Sequence, residues 1–208
     1  YFTVHTHANQ HAGYFPGAQP VHILMHVGTD GQILGAQAVG VEGVDRRIDV
    51  IATVMRARLA APDLMDLDLA YAPPYGQAKD PVNQTGMVAH NVLTGQLALT
   101  GPNELTEDMP VLDVRTPAEY AQGHMPNSLN IPHTQLRDRL DEVQAWVDEE
   151  IGDRPFVVMC AAGVRSWIGY RIVRAAGFNV TMLSGGIQTL RAWLGERAET
   201  VLAAEGDR

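Results

Sequence analysis

The order of the apolar segments changes at about residue 110, and this change constrains the fold more than any other feature of the chain. Beyond that point, short apolar segments typical of strands alternate with segments of helical spacing. The predicted strands are 110–115, 127–132, 155–160 and 179–185, and the predicted helices are 116–123, 134–147, 166–177 and 187–204. Such alternation is typical of a parallel sheet covered by helices on both faces. We therefore expect an α/β domain over residues 109–208.

The first half of the chain has another order, in which strands precede helices. Residues 21–40 contain two apolar segments around the short connection TDG, which favours an antiparallel hairpin. Residues 81–95 have helical spacing, and Pro81 suits the first position of a helix. These patterns predict an α+β domain with an antiparallel sheet and helices over residues 1–96. The polar stretch 97–108, which contains Gly and Pro, is then a linker or the start of the second domain.

A second helix of the first half is predicted over residues 45–59. Ile48, Ile51, Met55 and Leu59 recur there at steps of three and four residues, as on one face of a helix. An apolar face of this kind can cover a second copy of the chain or pack against another domain, and the pattern leaves both arrangements open.

Charge and composition exclude several classes of partner. The formal net charge of −9 disfavours binding to nucleic acid or to an anionic membrane. No apolar run approaches the roughly 18 residues that a membrane span needs. The chain begins YFTVHTHANQ, without an initiator Met or a signal peptide, so we expect a piece of a longer cytoplasmic protein. Its single cysteine cannot form an internal disulfide, which fits a reducing compartment.

The histidines near the start of the chain raise the question of a metal site. They are His5, His7, His11, His22 and His26. Their spacing fits no usual arrangement of zinc ligands. We therefore expect solvated or core-lining histidines and no metal.

The only cysteine lies where a reactive group is expected in an α/β sheet. Cys160 ends the predicted strand 155–160, at the edge where open α/β sheets bind ligands. The short loop after it, AAGVR, contains Gly163 and small side chains that let the backbone curl and direct its N–H groups at one point. A sulfur at that point is favoured as the thiolate, and Arg165 adds positive charge. The loop predicts a nucleophile, with a buried, inert core cysteine as the alternative.

Three segments of the second half together resemble the rhodanese domain, a sulfurtransferase module. They are VLDVRTPAEYAQGHMPNSLNIP, CAAGVRS and GFNVTMLSGG, and the resemblance covers about residues 97–195. It implies that Cys160 takes sulfane sulfur from a donor such as thiosulfate, a persulfide or a polysulfide. The cysteine then holds this sulfur as a persulfide until a thiol acceptor removes it.

The resemblance also implies roles for the residues around Cys160. The loop backbone would hold the charge of the sulfur, while Arg165 would support the loop or meet an anionic donor. Asp113 and Arg115 would shape the mouth of the site. The loop residues concerned are Ala161, Ala162, Gly163, Val164 and Ser166, and the residues expected to be architectural are Glu119, His124, Ser184, Gly185 and Gly186.

Cysteine phosphatases offer a second reading of the loop, since they also place an arginine after a cysteine on a related fold. Their loop has five residues between the two, whereas four separate Cys160 from Arg165 here. Ser166 occupies the position that the phosphatase arginine needs. The shorter loop suits a single sulfur atom, which favours sulfur transfer over phosphate ester hydrolysis.

The first half resembles a different family. Its segments AGYFPGAQP, GQILGAQAVGVEGVDRRIDVIATVMRARL and LDLAYAPPYGQAKDPVNQTGMVAHN are similar to the dimerisation domain of flavin- and pyridine-nucleotide-dependent disulfide reductases. The most similar branch contains the coenzyme A-disulfide reductases and the NADH-linked polysulfide or persulfide reductases. This resemblance implies a homodimer through residues 1–96, with Tyr14 and Tyr71 reaching the partner's substrate. Tyr75 is an alternative to Tyr71, and Lys79 would meet coenzyme A phosphates.

The same resemblance limits what this chain does alone. FAD and NAD(P)H would be bound by preceding domains, so no cofactor is expected in the chain itself. We expect a parent enzyme that reduces a coenzyme A disulfide, persulfide or polysulfide and a C-terminal rhodanese-type sulfurtransferase that supplies or collects sulfur. The alternative is a catalytically silent module that dimerises and binds a thiol carrier.

Overall fold

Three antiparallel strands begin the chain and pair in the order β1-β2-β3, in a computed structural model that describes residues 1–202. The strands are β1 (Phe2–Asn9), β2 (Pro20–Val27) and β3 (Ile33–Gly40). Alternate residues of β1 and β2, among them Val4, Ile23 and Met25, are buried on one face. The predicted hairpin between β2 and β3 is confirmed, with the TDG segment in its turn.

Two helices and a short 3-10 helix complete this first unit. They are α1 (Val44–Arg56), the 3-10 helix Ala61–Asp66 and α2 (Pro81–Leu93). Pro81 begins α2 as predicted, and the side chain of Asp80 caps it by accepting from the amide of Val82 at 3.1 Å. The predicted apolar face of α1 is only partly right. Ile51 is buried, but the helix ends at Arg56, so Leu59 lies beyond it and is exposed.

The second unit contains a parallel sheet of five strands in the order β4-β8-β7-β5-β6. The strands are β4 (Leu99–Thr100), β5 (Val111–Asp113), β6 (Ser128–Asn130), β7 (Phe156–Met159) and β8 (Val180–Leu183). Four of them lie within the predicted strands, whereas β4 was not predicted. The expected fold class, an antiparallel α+β unit followed by a parallel α/β unit, is confirmed.

Helices follow the strands of the second unit as the alternation predicts. They are α3 (Pro117–Tyr120), α4 (Leu140–Trp146) with a 3-10 turn before it (Leu136–Arg139) and a π turn after it (Val147–Ile151), α5 (Val164–Ala175), α6 (Gly186–Leu194), a 3-10 turn (Gly195–Arg197) and α7 (Ala198–Val201). The predicted helix 187–204 is therefore broken at Gly195, whose φ of 57° interrupts the helical backbone. Its last two predicted residues lie outside the described part.

The chain divides into its two units between Leu97 and Ala98. Each unit has its own sheet, and the sheet of the second unit is centred on the strand that precedes Cys160. Within residues 1–202, no helix combines the length and the apolarity that crossing a membrane requires.

Candidate functional site

Cys160 lies immediately after β7, which pairs with β5 on one side and β8 on the other. Because every strand of this sheet is parallel, the cysteine lies at the carboxyl edge, where the loops of neighbouring strands converge. Its side chain is 1% exposed. Helix α5 begins four residues later, at Val164, and Gly163 precedes it with a φ of 117° that favours glycine.

Two groups of the loop contact the sulfur directly. The amide of Gly163 donates to Sγ of Cys160 at 3.2 Å. The thiol lies 3.4 Å from Oγ of Ser166, and this buried hydroxyl donates to the carbonyl of Gly163 at 2.9 Å. A backbone N–H at the start of a twelve-residue helix is a donor that favours negative charge on the sulfur.

The segment that begins α6 holds the same loop from the other side. The amide of Ile187 donates to the carbonyl of Cys160 at 2.9 Å, and the amide of Gln188 donates to the carbonyl of Ala161 at 3.1 Å. Gly186 has a φ of 63°, and a Cβ at this position would lie 2.5 Å from the oxygen of Cys160. The glycine is therefore required for the backbone of this segment to approach the loop.

Arg165 forms an ion pair with Glu119, which precedes it by 46 residues. Its two terminal nitrogens contact the two carboxylate oxygens at 2.6 and 2.7 Å. The hydrogen bonds from Arg165 hold the pKa of Glu119 well below its usual value, at about 2, and those from Thr116 act in the same direction. The same pair raises the pKa of Arg165. The resemblance implied only an architectural role for Glu119. No local sequence pattern connects two positions so far apart.

Asp113 and Arg115 form a second ion pair, with 2.6 Å between Nη2 and Oδ2. Both residues are buried, and Arg115 also donates to the carbonyls of Glu119 and Gly123. Their expected role in shaping the mouth of the site stays a prediction, and the structure shows both side chains buried. Arg115 fixes the backbone of the segment that carries Glu119, because each of its guanidinium nitrogens donates to Asp113 or to a carbonyl of this segment.

In the first unit, the structure brings together two of the predicted substrate-facing tyrosines. The hydroxyls of Tyr14 and Tyr71 lie 3.2 Å apart, and both rings are exposed. The hydrogen bond with Tyr71 raises the pKa of Tyr14. Tyr75 is also exposed, but its carbonyl accepts from Arg46, and its ring has no described contact with the pair. Lys79 is exposed.

The histidines of β1 and β2 share the sheet face opposite the buried one. His7 pairs with His22 in the strand register, and their imidazoles contact each other through Nδ1. Burial and the nearby His26 lower the pKa of His5. Within residues 1–202, no three histidine, cysteine or carboxylate side chains converge as metal ligands do.

Comparisons with known proteins agree with this geometry. Residues 101–192 match the family described as Rhodanese-like domain. The coenzyme A disulfide reductase of Staphylococcus aureus (strain bovine RF122 / ET3-1) is 46% identical over 80 residues, which are 38% of this chain and 18% of the reductase.

Two solved structures resemble most of the chain. The crystal structure of reduced Bacillus anthracis CoADR-RHD has a TM-score of 0.86 and 40% identity over 94% of this chain and 35% of that chain. A NAD-dependent persulfide reductase from A. fulgidus has a TM-score of 0.79 and 38% identity over 90% of this chain and 34% of that chain. This chain therefore spans between 18% and 35% of the length of these relatives. With the family match, the parallel sheet and the loop after β7 taken together, this chain carries a rhodanese-like domain.

Proposed function

We propose that the second unit is a rhodanese-type sulfurtransferase that carries sulfane sulfur as a persulfide on Cys160. The observation that carries this proposal is the position of the sulfur at the N-terminal end of α5, with the amide of Gly163 at 3.2 Å and the hydroxyl of Ser166 at 3.4 Å. The amide already donates to the sulfur, and the hydroxyl can do so once the thiolate forms. The family match over residues 101–192 supports the same chemistry.

Sulfur transfer proceeds in two balanced displacements. The Cys160 thiolate, its proton lost to solvent, attacks the outer sulfur of a donor persulfide RSS⁻. The new S–S bond forms as the donor S–S bond breaks, and RS⁻ leaves; with thiosulfate, sulfite leaves. An acceptor thiolate then attacks the outer sulfur of the Cys160 persulfide and departs as a persulfide, which restores the Cys160 thiolate. No net oxidation or reduction occurs over the cycle.

The loop residues stabilise negative charge at both stages. The hydroxyl of Ser166 donates to the carbonyl of Gly163 while the cysteine is a thiol, and it can rotate to donate to Sγ once the thiolate forms. The amide of Gly163 is fixed by the backbone and needs no rearrangement. Gly186 keeps the α6 segment close against the loop, so that the loop stays curled when the sulfur changes.

Transfer of sulfur to cyanide tests this proposal. The chain should convert a persulfide donor and cyanide to thiocyanate, and Cys160→Ser should abolish this conversion. Ile168→Ala, which shortens an exposed side chain of α5, serves as the control and should retain most of the rate. Equal thiocyanate formation by the chain and by Cys160→Ser would refute the assignment of the nucleophile.

A catalytically silent module that binds a thiol carrier remains the second candidate. The observation in its favour is the 1% exposure of Cys160, since a buried cysteine can be inert. The two candidates differ in the thiocyanate assay, because a silent module would bind a thiol carrier and produce no thiocyanate at all.

We further propose that the chain belongs to a homodimeric reductase of coenzyme A disulfides, persulfides or polysulfides that uses FAD and NAD(P)H. The similarity to the Staphylococcus aureus and A. fulgidus reductases supports this proposal. The exposed pair of Tyr14 and Tyr71 supports it too, because phenols can donate hydrogen bonds to a leaving thiolate. This chain has neither a GxGxxG sequence nor a second cysteine, so its own residues do not fit a flavin centre.

A further inference from the structure

The charge of the only arginine in the Cys160 loop is cancelled by a carboxylate from another part of the sheet edge. We propose that Glu119 determines donor specificity: by neutralising Arg165, it makes the site prefer organic persulfides over the small inorganic dianion thiosulfate. This inference rests on the sulfur transfer proposed above and adds the class of donor. Glu119 acts through Arg165 and is a positioning residue, not a group that touches the donor.

Both terminal nitrogens of Arg165 contact the carboxylate of Glu119. Nη1 contacts Oε2 of Glu119 at 2.7 Å and Nη2 contacts Oε1 at 2.6 Å, so the guanidinium is held in a two-point contact. The carboxylate is fixed in turn by Thr116, whose hydroxyl and amide donate to Oε2 at 2.8 and 3.1 Å. The arginine therefore cannot turn towards an anionic donor without breaking both contacts.

The pair is fully ionised at neutral pH and carries no net charge. Its hydrogen bonds hold the pKa of Glu119 at about 2, so the carboxylate keeps its charge throughout the physiological range. The pKa of Arg165 is raised by the same contact.

Two other arginines of the second unit are engaged as well. Arg115 is buried and paired with Asp113, and Arg191 of α6 donates to the carbonyl of Gln122. Residues 98–208 contain ten arginines, no lysine and sixteen acidic residues, so the surrounding field is negative. Both described contacts of the sulfur are with neutral groups: the amide of Gly163 donates to Sγ, and the thiol donates to Oγ of Ser166.

Thiosulfate and an organic persulfide interact differently with a site whose arginine is already paired. Thiosulfate brings two charges to a thiolate and releases sulfite, which is again a dianion. A helix N-terminus supplies only about half an elementary charge, which offsets a smaller share of the charge of a dianion than of a monoanion. An organic persulfide brings at most one charge on its terminal sulfur and releases a monoanionic thiolate, so it needs no unpaired cation.

The test compares both donors in three forms of the chain: wild type, Glu119→Gln and Glu142→Gln. Glutamine at position 119 can still serve in the capping box with Thr116 while it frees the charge of Arg165. Glu142 forms a comparable exposed pair with Arg139 on α4 and is the matched control. The donors are thiosulfate and 2-hydroxyethyl persulfide, with cyanide as the common acceptor, and the readout is kcat/KM for each donor.

We expect Glu119→Gln to raise kcat/KM for thiosulfate about tenfold at low ionic strength, the size of effect that one unpaired charge near a dianion gives. The value for the persulfide should change less than twofold, and Glu142→Gln should change neither. An unchanged ratio of the two donors in Glu119→Gln, or a lower value for thiosulfate, would overturn the inference. Absence of transfer from either donor in the wild type would instead overturn the proposed sulfurtransferase function.

A measurement on the wild type keeps the inference open to refutation if Glu119→Gln does not fold. The rate with thiosulfate should stay flat or rise as ionic strength increases from about 0.02 to about 0.3 M, because no unpaired cation attracts the dianion. A steep fall over this range would reveal such a cation and would contradict the neutralised site.

Discussion

Individual charges at the edge of the parallel sheet determine how the Cys160 site is built. Glu119 connects α3 to α5, since it caps the first through Thr116 and binds the arginine of the second. Its side chain is about one-third exposed, at 35%, so solvent screens the ion pair and limits its contribution to stability. The contribution of the ion pair to stability nevertheless depends on pH, and the lowered pKa of Glu119 sets the direction of this dependence.

Stability should respond to acid through Glu119. Its pKa falls from 4.5 to about 2 on folding, so its stabilising effect is complete above about pH 5 and is lost as the pH falls towards 2. We expect the wild type to be more stable than Glu119→Gln near pH 7, by at most about 1 kcal/mol. The difference should shrink between about pH 5 and pH 2 in thermal unfolding. A difference that is constant over this range would contradict the assignment.

Gly186→Ala should distort the Cys160 loop more than it destabilises helix α6, which begins at this glycine. The added Cβ would lie 2.5 Å from the oxygen of Cys160 and 2.8 Å from the carbonyl of Ala161. We expect a loss of about 2 kcal/mol or more together with slower persulfide formation, because the loop must move. Gly195→Ala is the control, since it also has a positive φ but no neighbour within 4 Å, and should cost about 1–3 kcal/mol without slowing the chemistry. Equal rates in the two variants would refute this role.

At the scale of elements, a buried ion pair connects the two helices of the first unit. Arg47 of α1 is 1% exposed and donates to both carboxylate oxygens of Asp80, which caps α2. It also donates to the carbonyls of Gln10 and Gly43. A single arginine therefore fixes the end of β1, the start of α1 and the start of α2, and it satisfies a carboxylate that would otherwise be buried alone.

Arg47→Met should destabilise the first unit by about 3–5 kcal/mol, because Asp80 would stay buried without its partner. Arg56→Met, in the exposed last turn of the same helix, is the control and should change stability by no more than about 0.5 kcal/mol. Circular dichroism follows the unfolding. The tryptophan fluorescence should change less than the circular dichroism, since the tryptophans all lie in the second unit, at positions 146, 167 and 193. A loss equal to that of Arg56→Met would contradict the prediction.

Local signals explain which elements were predictable from the sequence. The proline at position 81 marks a helix start through contacts within a few residues, and this start is confirmed. The capping box of Thr116 and Glu119 fixes the start of α3 by equally local contacts. β4 contains two residues and exists only through its pairing with β8, so no periodicity reveals it. Likewise, Arg47 joins the buried face of α1 because Asp80 lies opposite, a contact between positions 33 residues apart. The ion pair of Glu119 with Arg165 was missed for the same reason.

At the scale of the whole molecule, the chain has two units and similarity to parts of longer reductases. Of the predicted apolar face of α1, Ile51 is buried within the unit, where the helix packs against β3, while Ile48 and Met55 are half-buried and Leu59 is exposed. A homodimer through residues 1–96 stays a prediction.

Sedimentation tests that assembly. We expect the whole chain to be a dimer at micromolar concentration and residues 98–208 alone to be a monomer that keeps the circular dichroism of an α/β fold. The comparison assigns self-association to the first unit, since only the whole chain contains it. A monomeric whole chain would contradict the proposal that residues 1–96 suffice for dimerisation.

The central claim is that Cys160 carries sulfur, and intact mass spectrometry tests it most directly. After incubation with a persulfide donor, the wild type should gain the mass of one sulfur atom, and cyanide should remove it. Cys160→Ser should gain nothing under the same conditions. If the wild type gains no sulfur while an alkylating reagent still labels Cys160, the loop is accessible but does not accept sulfur, and the account of this site is wrong.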